Sequence, residues 1–599
     1  MGVFSRIPSG LDEVDVIIAG GGTAGCVVAS RLSDADPNLS ILIIEGGSDN
    51  YNDPSIIHPL LFLSHLMPTS KNTLFYQGTK EPKLDNRELV VPSGGVLGGG
   101  SSINLLTYSR AQRQDLDSWK MPGWSANELL PFMKKLETYH GPGTSETHGA
   151  DGPVQISNGT YHATTSENDF IQAATKIGWP EKVDIQNLDT SNATQRNLRF
   201  ISPEGLRQDA AHTYLHPRLQ DGKHKNLHVL VEHQVIRVLF ENKKATGVEY
   251  QPNSAFHNGT PTVKTIKSNK LVVVSAGALG TPLVLERSGV GDPAILAKAG
   301  VDVVAEVPGV GRNYMDHHLL TYPYRSSLLP NETFDAVYGG RVDIGQLIAT
   351  NNSILGWNAA DVTSKLRPSD AEASTLGPAF LQAWNKDFKN VPNKPVSIIT
   401  SLNGFPGDPT GLPVAQFMST STFTVYPYSR GHIHITGKDL SVPLDFQTGF
   451  FSDEQDVDIK KSIWSYKKQR EILRRMDVYR GEYAPGHPPF SAGSDAACKE
   501  FDTPLKNVQD IVYTPEDDAI LEQWVRQNVG STWHSMGTCK MAPQSEFGVV
   551  DATLSVYGVN SLKLADLSIP PQNVAANTGN TAFVVGEKAA DIFIKDLGL

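Results

Sequence analysis

The chain has 599 residues, 39% hydrophobic and 19% charged, which is the composition of an ordinary globular protein and enough for two or more domains. Its formal net charge is −12 and it has no Lys/Arg-rich cluster, which argues against nucleic acid as a partner. Cys26, Cys498 and Cys539 lie far apart, so neither a disulfide framework nor a metal site is predicted, and no run approaches the roughly 18 apolar residues of a membrane-spanning helix.

The first predicted unit, Val14 to Gly47, has the pattern of a strand, a helix and a second strand. A short apolar strand over Val16–Ile18 leads into a glycine-rich turn, and a helix is predicted over Val27–Leu32. A second apolar strand, Ile41–Ile44, ends at Glu45. This order of elements predicts a parallel βαβ unit.

The turn of this unit reads Gly20-Gly21-Gly22-Thr23-Ala24-Gly25 and matches a dinucleotide-binding fingerprint. Gly20 allows the tight turn, Gly22 lets the main chain approach a pyrophosphate, and Gly25 lets helix and strand pack closely. The helix N-terminus offers unpaired N–H groups to the phosphates, and Glu45 is placed to bind the ribose hydroxyls. The alternative, a glycine-rich turn without a ligand, does not explain the flanking strand, helix and acid. The turn alone does not separate FAD from NAD.

Later parts of the chain supply further strands for this domain. The near-continuous apolar run Leu271–Ser275 is typical of a strand that is buried on both faces, as in a parallel sheet. The other strand signals are Leu227–Phe240, Gly247–Tyr250 and Leu562–Asp566, and a helix is predicted from about Asn580 to Ile594.

The middle of the chain, Leu320 to Gln509, is rich in Pro, Asn, Ser and Gly. It has aromatic-bearing strands such as Phe423–Tyr426 and His432–Ile435, and an amphipathic helix from about Glu454 to Met476. The predicted fold class is therefore α/β, with a Rossmann-like domain and an inserted α+β substrate-binding domain that carries an antiparallel sheet with helices on one face. The predicted bounds are 1–155, 200–325 and 520–599 for the nucleotide domain, and 156–199 and 326–519 for the inserted domain.

A second glycine-rich run, Leu97–Asn104, contains three successive glycines that permit close approach of main chain to a flat ligand. A simple NAD domain has no need of such a loop. The run resembles the first signature of the glucose–methanol–choline (GMC) oxidoreductases, which are FAD enzymes. Further motifs of that family follow in order over nearly the whole chain, namely Gly277–Leu285 with Ser288–Gly291, Pro308–Asn313 with Asp316-His317, and Asp566–Pro570.

Within that family the chain is most similar to the fungal alcohol (methanol) oxidases, through Pro131–Tyr139, Tyr428–Ile435 and Thr532–Cys539. It lacks that branch's extended loop shortly before Trp533, its C-terminal extension and its peroxisomal signal, which are associated with a large peroxisomal assembly. We therefore expect a monomer or small homo-oligomer rather than an octamer, without a membrane partner. Because no secretory signal or peroxisomal tripeptide is visible, we expect a cytoplasmic location.

The resemblance implies FAD as the cofactor. Relatives with a histidyl–FAD bond carry His within the glycine-rich loop, where this chain has Ile103, so non-covalent binding is expected. The cofactor-binding residues implied by the fingerprint and the resemblance are Gly20, Gly22, Thr23, Ala24, Gly25, Glu45, Gly46, Leu97, Gly99, Ser102, Asn104, Val235, Ser275, Trp533, Asp566, Leu567 and Thr578. No metal is expected.

The resemblance also implies a catalytic pair, His534 and Asn577, which in the family faces the flavin N5 edge. Oxidation of an alcohol needs the hydroxyl proton removed while hydride leaves the carbon for N5, and neutral imidazole titrates in the right range for that task. Asn577 would hold the substrate oxygen without competing for the proton. A lone histidine near a C-terminus is more often structural, and only the surrounding motif selects His534 among the 17 histidines.

Leu105, Thr107 and Trp533 are the predicted substrate-pocket residues. Methanol-oxidising relatives carry the bulkier Phe and Met at the sites that match Leu105 and Thr107, so a larger cavity is expected unless neighbouring side chains refill it. The predicted reaction is oxidation of a primary alcohol larger than methanol, aliphatic or aryl, to the aldehyde, with O₂ reduced to H₂O₂. A dehydrogenase of the same fold that uses a quinone, and a hydroxynitrile lyase, are the alternatives.

Overall fold

The computed structural model describes residues 2–599, and an eight-stranded sheet forms the centre of its nucleotide domain. The strands Glu13–Ala19 and Ile41–Ile44 are parallel neighbours, as the sequence predicts, and Leu227–Leu230 is parallel to Ile41–Ile44. Most of their residues are apolar and buried, as in a sheet that is covered on both faces. The single strand predicted over Leu227–Phe240 is wrong, because the chain forms two strands there and the second, His233–Glu241, lies at the opposite edge of the sheet. In order across the sheet the strands are Gly2–Phe4, Leu227–Leu230, Ile41–Ile44, Glu13–Ala19, Lys264–Val274, Lys244–Pro252 and His233–Glu241, with Leu562–Leu564 beside the C-terminal half of Lys264–Val274.

Two helices that are far apart in sequence pack together on this sheet. Helix Thr23–Ala35 follows the glycine-rich turn, and helix Gly579–Leu597 closes the chain. A Cβ atom at Gly586 would lie 2.8 Å from Val27, so only glycine permits this close helix contact. The C-terminal helix thus brings the segment that precedes it, with Asn577, to the nucleotide domain.

The second large sheet is antiparallel, has seven strands, and takes most of them from the inserted part of the chain. Helix Val457–Arg474 packs on its strands Phe417–Thr424 and Ser397–Leu402. The predicted fold class, with an α+β unit carrying an antiparallel sheet, is confirmed. The strand order is Tyr479–Glu482, His318–Ser326, Phe417–Thr424, Ser397–Leu402, Val362–Leu366 and Ala193–Arg196, with Gly530–Ser531 beside His318–Ser326.

Two further details differ from a simple reading of the sequence. The strand His318–Ser326 belongs to the antiparallel sheet, although the predicted domain division lies at 325/326. The strand predicted over His432–Ile435 is Gly431–His434, and it pairs with Arg312–Tyr314 and Asp445–Gln447 in a separate three-stranded sheet. A Cβ at Gly311 would lie 2.3 Å from the Ile433 carbonyl, so glycine allows this strand to dock there.

The remaining elements are short and connect these layers. No helix within residues 2–599 is long and apolar enough to cross a membrane. The other strands are Thr73–Glu81, Arg87–Gly94, Glu137–Tyr139, Val154–Ile156, Val290–Gly291 and Ala305–Glu306. The other α-helices are Pro54–Ile57, Gly100–Ile103, Arg113–Asp117, Ala126–Lys135, Thr164–Lys176, His216–Gln220, Gly277–Arg287, Pro293–Lys298, Asp335–Tyr338, Ile344–Ala349, Asp370–Thr375, Pro378–Asp387 and Pro515–Asn528. Short 3₁₀-helices or π-helices are Pro59–Leu66, Pro82–Leu84, Ala211–Leu215, Pro330–Glu332, Ser353–Gly356, Ala484–Gly486 and Gln544–Glu546.

Candidate active site

The two glycine-rich loops lie directly against each other. Gly98 N–H donates to the Gly21 carbonyl (2.8 Å), and the Thr23 hydroxyl donates to the Gly98 carbonyl (3.2 Å). A Cβ at Gly99 would lie 2.8 Å from Gly22 Cα, so only glycine permits this main-chain contact. The loops are therefore one continuous main-chain surface, although about 75 residues separate them in the chain.

The helix after the first loop presents free N–H groups. Thr23–Ala35 begins after Gly22, and no side chain caps its first turn. Gly20 has φ +108° and its Cβ would lie 2.4 Å from the Ser275 carbonyl, which agrees with the tight turn. A Cβ at Gly25 would lie 2.3 Å from the Gly20 carbonyl, which agrees with close packing of helix and strand. The first turn of this helix, with Ala24, can therefore bind a phosphate.

Glu45 is fixed at the carboxyl end of its strand. Its two carboxylate oxygens accept hydrogen bonds from Gly21 N and Gly47 N, both at 2.7 Å, and burial raises its pKa. The next residue, Gly46, is held by the Asn253 side chain, which donates to its carbonyl (2.7 Å). These contacts connect the acid to the glycine-rich turn.

Ser102 and Ser275 use their hydroxyl groups within the protein. Ser102 donates to the Leu97 carbonyl (2.8 Å), and Ser275 donates to the Ala565 carbonyl (2.6 Å). They therefore shape the cofactor surface by holding main chain rather than by offering a free hydroxyl. Val235 is half-buried and lies on His233–Glu241, the edge strand of the eight-stranded sheet.

The Asp566 carboxylate also bonds within the protein. It accepts hydrogen bonds from Gly277 N (2.9 Å) and Ser568 N (2.7 Å), and burial raises its pKa. Leu567 accepts from Gly537 N (3.0 Å), which connects this segment to the one that carries His534. Any contact of Asp566 with a cofactor would therefore use its main chain.

Asn104 ends the second glycine-rich loop and is held by a buried arginine. Arg207 Nη1 donates to the Asn104 carbonyl (2.9 Å) and to Asn104 Oδ1 (3.0 Å), and also to the Ser101 carbonyl (3.2 Å). Burial lowers the pKa of Arg207 to about 10. Arg207 was not among the sequence-predicted site residues, and it fixes the loop from which the predicted pocket residues follow.

Trp533 is 40% exposed, although Thr532 and His534 on either side are buried. Its φ of +61° lies in the left-handed region, where a bulky residue is unusual, and its N–H donates to Ser531 Oγ (2.8 Å). This conformation leaves the indole open next to His534, one of the two predicted catalytic residues. The paired glycine loops, the uncapped helix and the open indole together fit a flat dinucleotide such as the predicted FAD.

The predicted catalytic residues His534 and Asn577 are brought together. Asn577 Nδ2 lies 3.4 Å from His534 Nε2, and Asn577 Oδ1 is buried without a hydrogen-bond partner. Burial, with a smaller effect of the neighbouring His317, places the pKa of His534 well below its usual range. Thr578 follows Asn577, is buried, and precedes the C-terminal helix. The pair thus offers a neutral imidazole and an amide at one place.

A second histidine contacts the first. His317 Nδ1 lies 2.9 Å from His534 Nδ1, and the His317 ring stacks on Phe423 with centroids 5.2 Å apart. Asp316 Oδ1 accepts from His317 N (2.7 Å) and from His534 N (3.0 Å), so one carboxylate holds the main chain of both histidines. Burial raises the pKa of Asp316 to about 6, although the hydrogen bonds that its carboxylate accepts act to lower this pKa. Both residues stand in a family motif of the sequence, but their roles depend on contacts that the motif does not reveal.

The segment Leu105–Thr107 follows the second glycine-rich loop. Leu105 is half-buried and its carbonyl accepts from Asn358 Nδ2 (2.6 Å), while Thr107 is 7% exposed. Leu106 between them is fully buried with φ +60°, which fixes the turn of this segment. The contact of Leu105 and Thr107 with a substrate stays a prediction.

Comparisons with known proteins agree with this architecture. Two family models, both described as GMC oxidoreductase, match residues 14–319 and 427–586. The alcohol oxidase of Candida boidinii is 36% identical, covering 98% of this chain and 96% of that protein, and that of Pichia angusta is 35% identical with the same coverage. A solved FAD-dependent oxidoreductase from Chaetomium thermophilum, in complex with a small-molecule fragment, has a TM-score of 0.80 and 26% identity, covering 98% of this chain and 100% of that chain.

Proposed function

Because the chain belongs to the GMC oxidoreductase family, in its fungal alcohol oxidase branch, we propose that it oxidises a primary alcohol larger than methanol to the aldehyde. At the level of the family it is an FAD-dependent alcohol oxidase. We further propose that the substrate is an aliphatic or aryl alcohol and that His534 and Asn577 act on its hydroxyl group. When bound, FAD supplies the redox chemistry, accepting the hydride at N5 and reducing O₂ to H₂O₂.

The observation that carries the proposal is the buried pair His534 and Asn577, with Nε2 and Nδ2 3.4 Å apart. Asn577 Nδ2 donates a hydrogen bond to the alcohol oxygen and so places the hydroxyl group beside the imidazole. His534 Nε2 then takes the hydroxyl proton, so that the O–H bond breaks and an N–H bond forms as hydride leaves the carbon. Because its pKa is lowered, His534 is unprotonated at neutral pH and is ready to accept that proton.

Substrate size is inferred from Leu105 and Thr107. The corresponding Phe and Met of methanol-oxidising relatives are bulkier, so these positions leave room for several additional methylene groups. Each buried methylene of a complementary ligand contributes about 0.8 kcal/mol. That contribution favours a longer aliphatic or an aryl alcohol over methanol.

The test is a series of primary alcohols, from methanol through hexan-1-ol to benzyl alcohol, applied to the purified protein. Flavin bleaching without oxygen measures oxidation of the alcohol, and peroxide formation in air measures reduction of O₂. We expect both, with larger kcat/KM for the long or aryl alcohols. Bleaching without peroxide, relieved by a quinone, would support a dehydrogenase. If methanol is the best substrate, the inference of a larger alcohol is wrong. Cleavage of a cyanohydrin without flavin bleaching would indicate a hydroxynitrile lyase.

A further inference from the structure

The structure assigns His317 a positioning role: it determines which ring nitrogen of His534 carries hydrogen, and so keeps Nε2 free to act as the base. This inference rests on the proposed role of His534. The two Nδ1 atoms are 2.9 Å apart, which is a hydrogen-bond distance, and both rings are buried. Since both imidazoles are neutral at neutral pH, one of the two Nδ1 atoms carries the hydrogen and the other accepts it.

Only one of the two arrangements makes His534 a base. If His534 Nδ1 donates to His317 Nδ1, then His534 Nε2 bears a lone pair, which faces Asn577 Nδ2 at 3.4 Å. If His317 donates instead, the His534 hydrogen sits on Nε2 and blocks the position that receives the substrate proton. The amide nitrogen of Asn577 beside Nε2 favours the first arrangement, because a donor there needs an acceptor opposite.

The far nitrogen of the His317 ring leaves the first arrangement open. His317 Nε2 is buried and has no hydrogen-bond partner. It can therefore carry the hydrogen of the neutral ring without disturbing another hydrogen bond. With its hydrogen on Nε2, His317 presents the lone pair of Nδ1 to His534.

The partner of the base is a neutral ring because the nearby carboxylate is used elsewhere. The Asp316 carboxylate accepts hydrogen bonds from the main-chain nitrogens of both histidines and from the hydroxyl groups of Tyr314 and Ser531, and it forms no hydrogen bond with either imidazole. Burial lowers the pKa of His317 to about 3.

Other charged or titratable groups also face the pair. His318, the next residue of the chain, and Lys461, on helix Val457–Arg474, both act to lower the pKa of His317 further. The Lys461 ammonium is itself paired with the Asp458 carboxylate (2.9 Å). When His534 takes the substrate proton at Nε2, its Nδ1–H remains hydrogen-bonded to His317, which stabilises the imidazolium that forms.

His317→Phe tests the role, because it removes the acceptor and keeps an aromatic ring against Phe423. We expect normal FAD content, nearly unchanged KM and a limiting rate of flavin reduction about 10- to 100-fold lower, since the Nδ1–H form of His534 loses its buried partner. His318→Phe is the matched control, a buried neighbouring histidine without a contact to His534, and should retain the wild-type rate.

His317→Asn and His317→Asp place an oxygen where His317 has Nδ1. The Asn variant should recover most of the rate, and the Asp variant should shift the acid limb of the pH–rate profile to higher pH, because a carboxylate raises the pKa of the imidazole. Histidine ¹⁵N spectra of the resting protein should show an Nδ1–H ring assigned to His534 that is lost in His317→Phe. Equal rates in His317→Phe and wild type, or equal losses in the Phe, Asn and Asp variants with no pH shift, would overturn the inference. If no alcohol reduced the flavin of the wild-type protein, the proposed function would be overturned instead. The ¹⁵N spectra would still report the tautomer of His534.

Discussion

Asp115 Oδ2 accepts a hydrogen bond from Ala575 N (2.8 Å), although 460 residues separate the two in the chain. The same carboxylate accepts from Gln112 N (2.8 Å) and from the Tyr426 hydroxyl, and it is 2% exposed. Ala575 is two residues before Asn577. The position of the Asn577 amide beside His534 therefore depends on a carboxylate near the start of helix Arg113–Asp117.

Asp115→Asn should lower kcat while FAD stays bound. The amide has one oxygen acceptor where the carboxylate has two, and its NH₂ group would face a main-chain or hydroxyl donor. Each hydrogen bond to a charged group contributes about 1.5–3 kcal/mol. We expect roughly a tenfold loss in the rate of flavin reduction, as the loop that carries Asn577 loses its anchor, and a lower Tm. The surface exchange Asp189→Asn is the control, since that carboxylate is exposed. Wild-type kinetics in the Asp115 variant would show that the loop is held by its apolar packing alone.

Acid precipitation of the protein should release its flavin into the supernatant. Ile103 stands in the second glycine-rich loop where histidyl–FAD relatives carry the attached histidine, and it has no nucleophilic atom. The measurement is the flavin absorbance of supernatant and pellet, with free FAD added to the denatured protein as the recovery control. Flavin that stays with the pellet would contradict non-covalent binding.

His534→Ala should leave FAD bound and slow flavin reduction by alcohol by roughly 10²–10⁴-fold, the usual effect of losing a general base. Asn577→Ala should slow it less, because one neutral hydrogen bond contributes about 1 kcal/mol. Anaerobic stopped-flow reduction measures both, with FAD content as the control. If the His534 variant were reduced at the wild-type rate, the base would have to be another group.

Local sequence patterns were sufficient to predict most helices and strands, but not the contacts between residues that are far apart in the chain. The βαβ unit could be predicted from the apolar run Ile41–Ile44 and the glycine-rich turn. Both are properties of a short segment, since the strand needs consecutive apolar residues and the turn needs glycine where φ is positive. The contact between His317 and His534 joins positions 217 residues apart, and no spacing or periodicity encodes it. Asp115 has no motif at all, and only the folded chain shows that it holds the Asn577 loop. Motifs thus predicted the pair His534 and Asn577, whereas the residues that contact and hold this pair became visible only in the structure.

Stability should fall steeply as the pH is lowered below about 6.5. Burial lowers the pKa of His317 to about 3 and those of His65, His318 and His487 to about 4. Below pH 6.5 the unfolded chain binds protons at these rings and the native chain does not, and each such proton costs about 1.4 kcal/mol per pH unit. Asp316, with a raised pKa of about 6, acts oppositely, since its contribution is present at low pH and lost as the pH rises through 6.

The measurement for this prediction is the urea midpoint at pH 7.5, 6.5, 5.5 and 4.5. His318→Phe removes one histidine that binds a proton only in the unfolded chain. Between pH 6 and 4.5 it should therefore reduce the slope of the free energy of unfolding against pH by about 1.4 kcal/mol per pH unit. Equal stability at pH 6.5 and 4.5 would contradict the burial of neutral histidines.

Leu105→Phe combined with Thr107→Met should shift preference from larger alcohols toward methanol or ethanol. Both positions follow Asn104, whose loop Arg207 holds in place, so the added ring and thioether should extend into the predicted pocket rather than displace the main chain. Overpacking against a long or aryl substrate typically costs about 1–3 kcal/mol, whereas a methanol-sized substrate avoids the clash and gains a better-fitted position. The ratio of kcat/KM for methanol and for benzyl alcohol reports the discrimination, and Val183→Met, at an exposed site, controls for added bulk. An unchanged ratio in a folded, FAD-loaded double variant would mean that these two positions do not line the pocket. Substrate size would then have to be determined by other residues near His534.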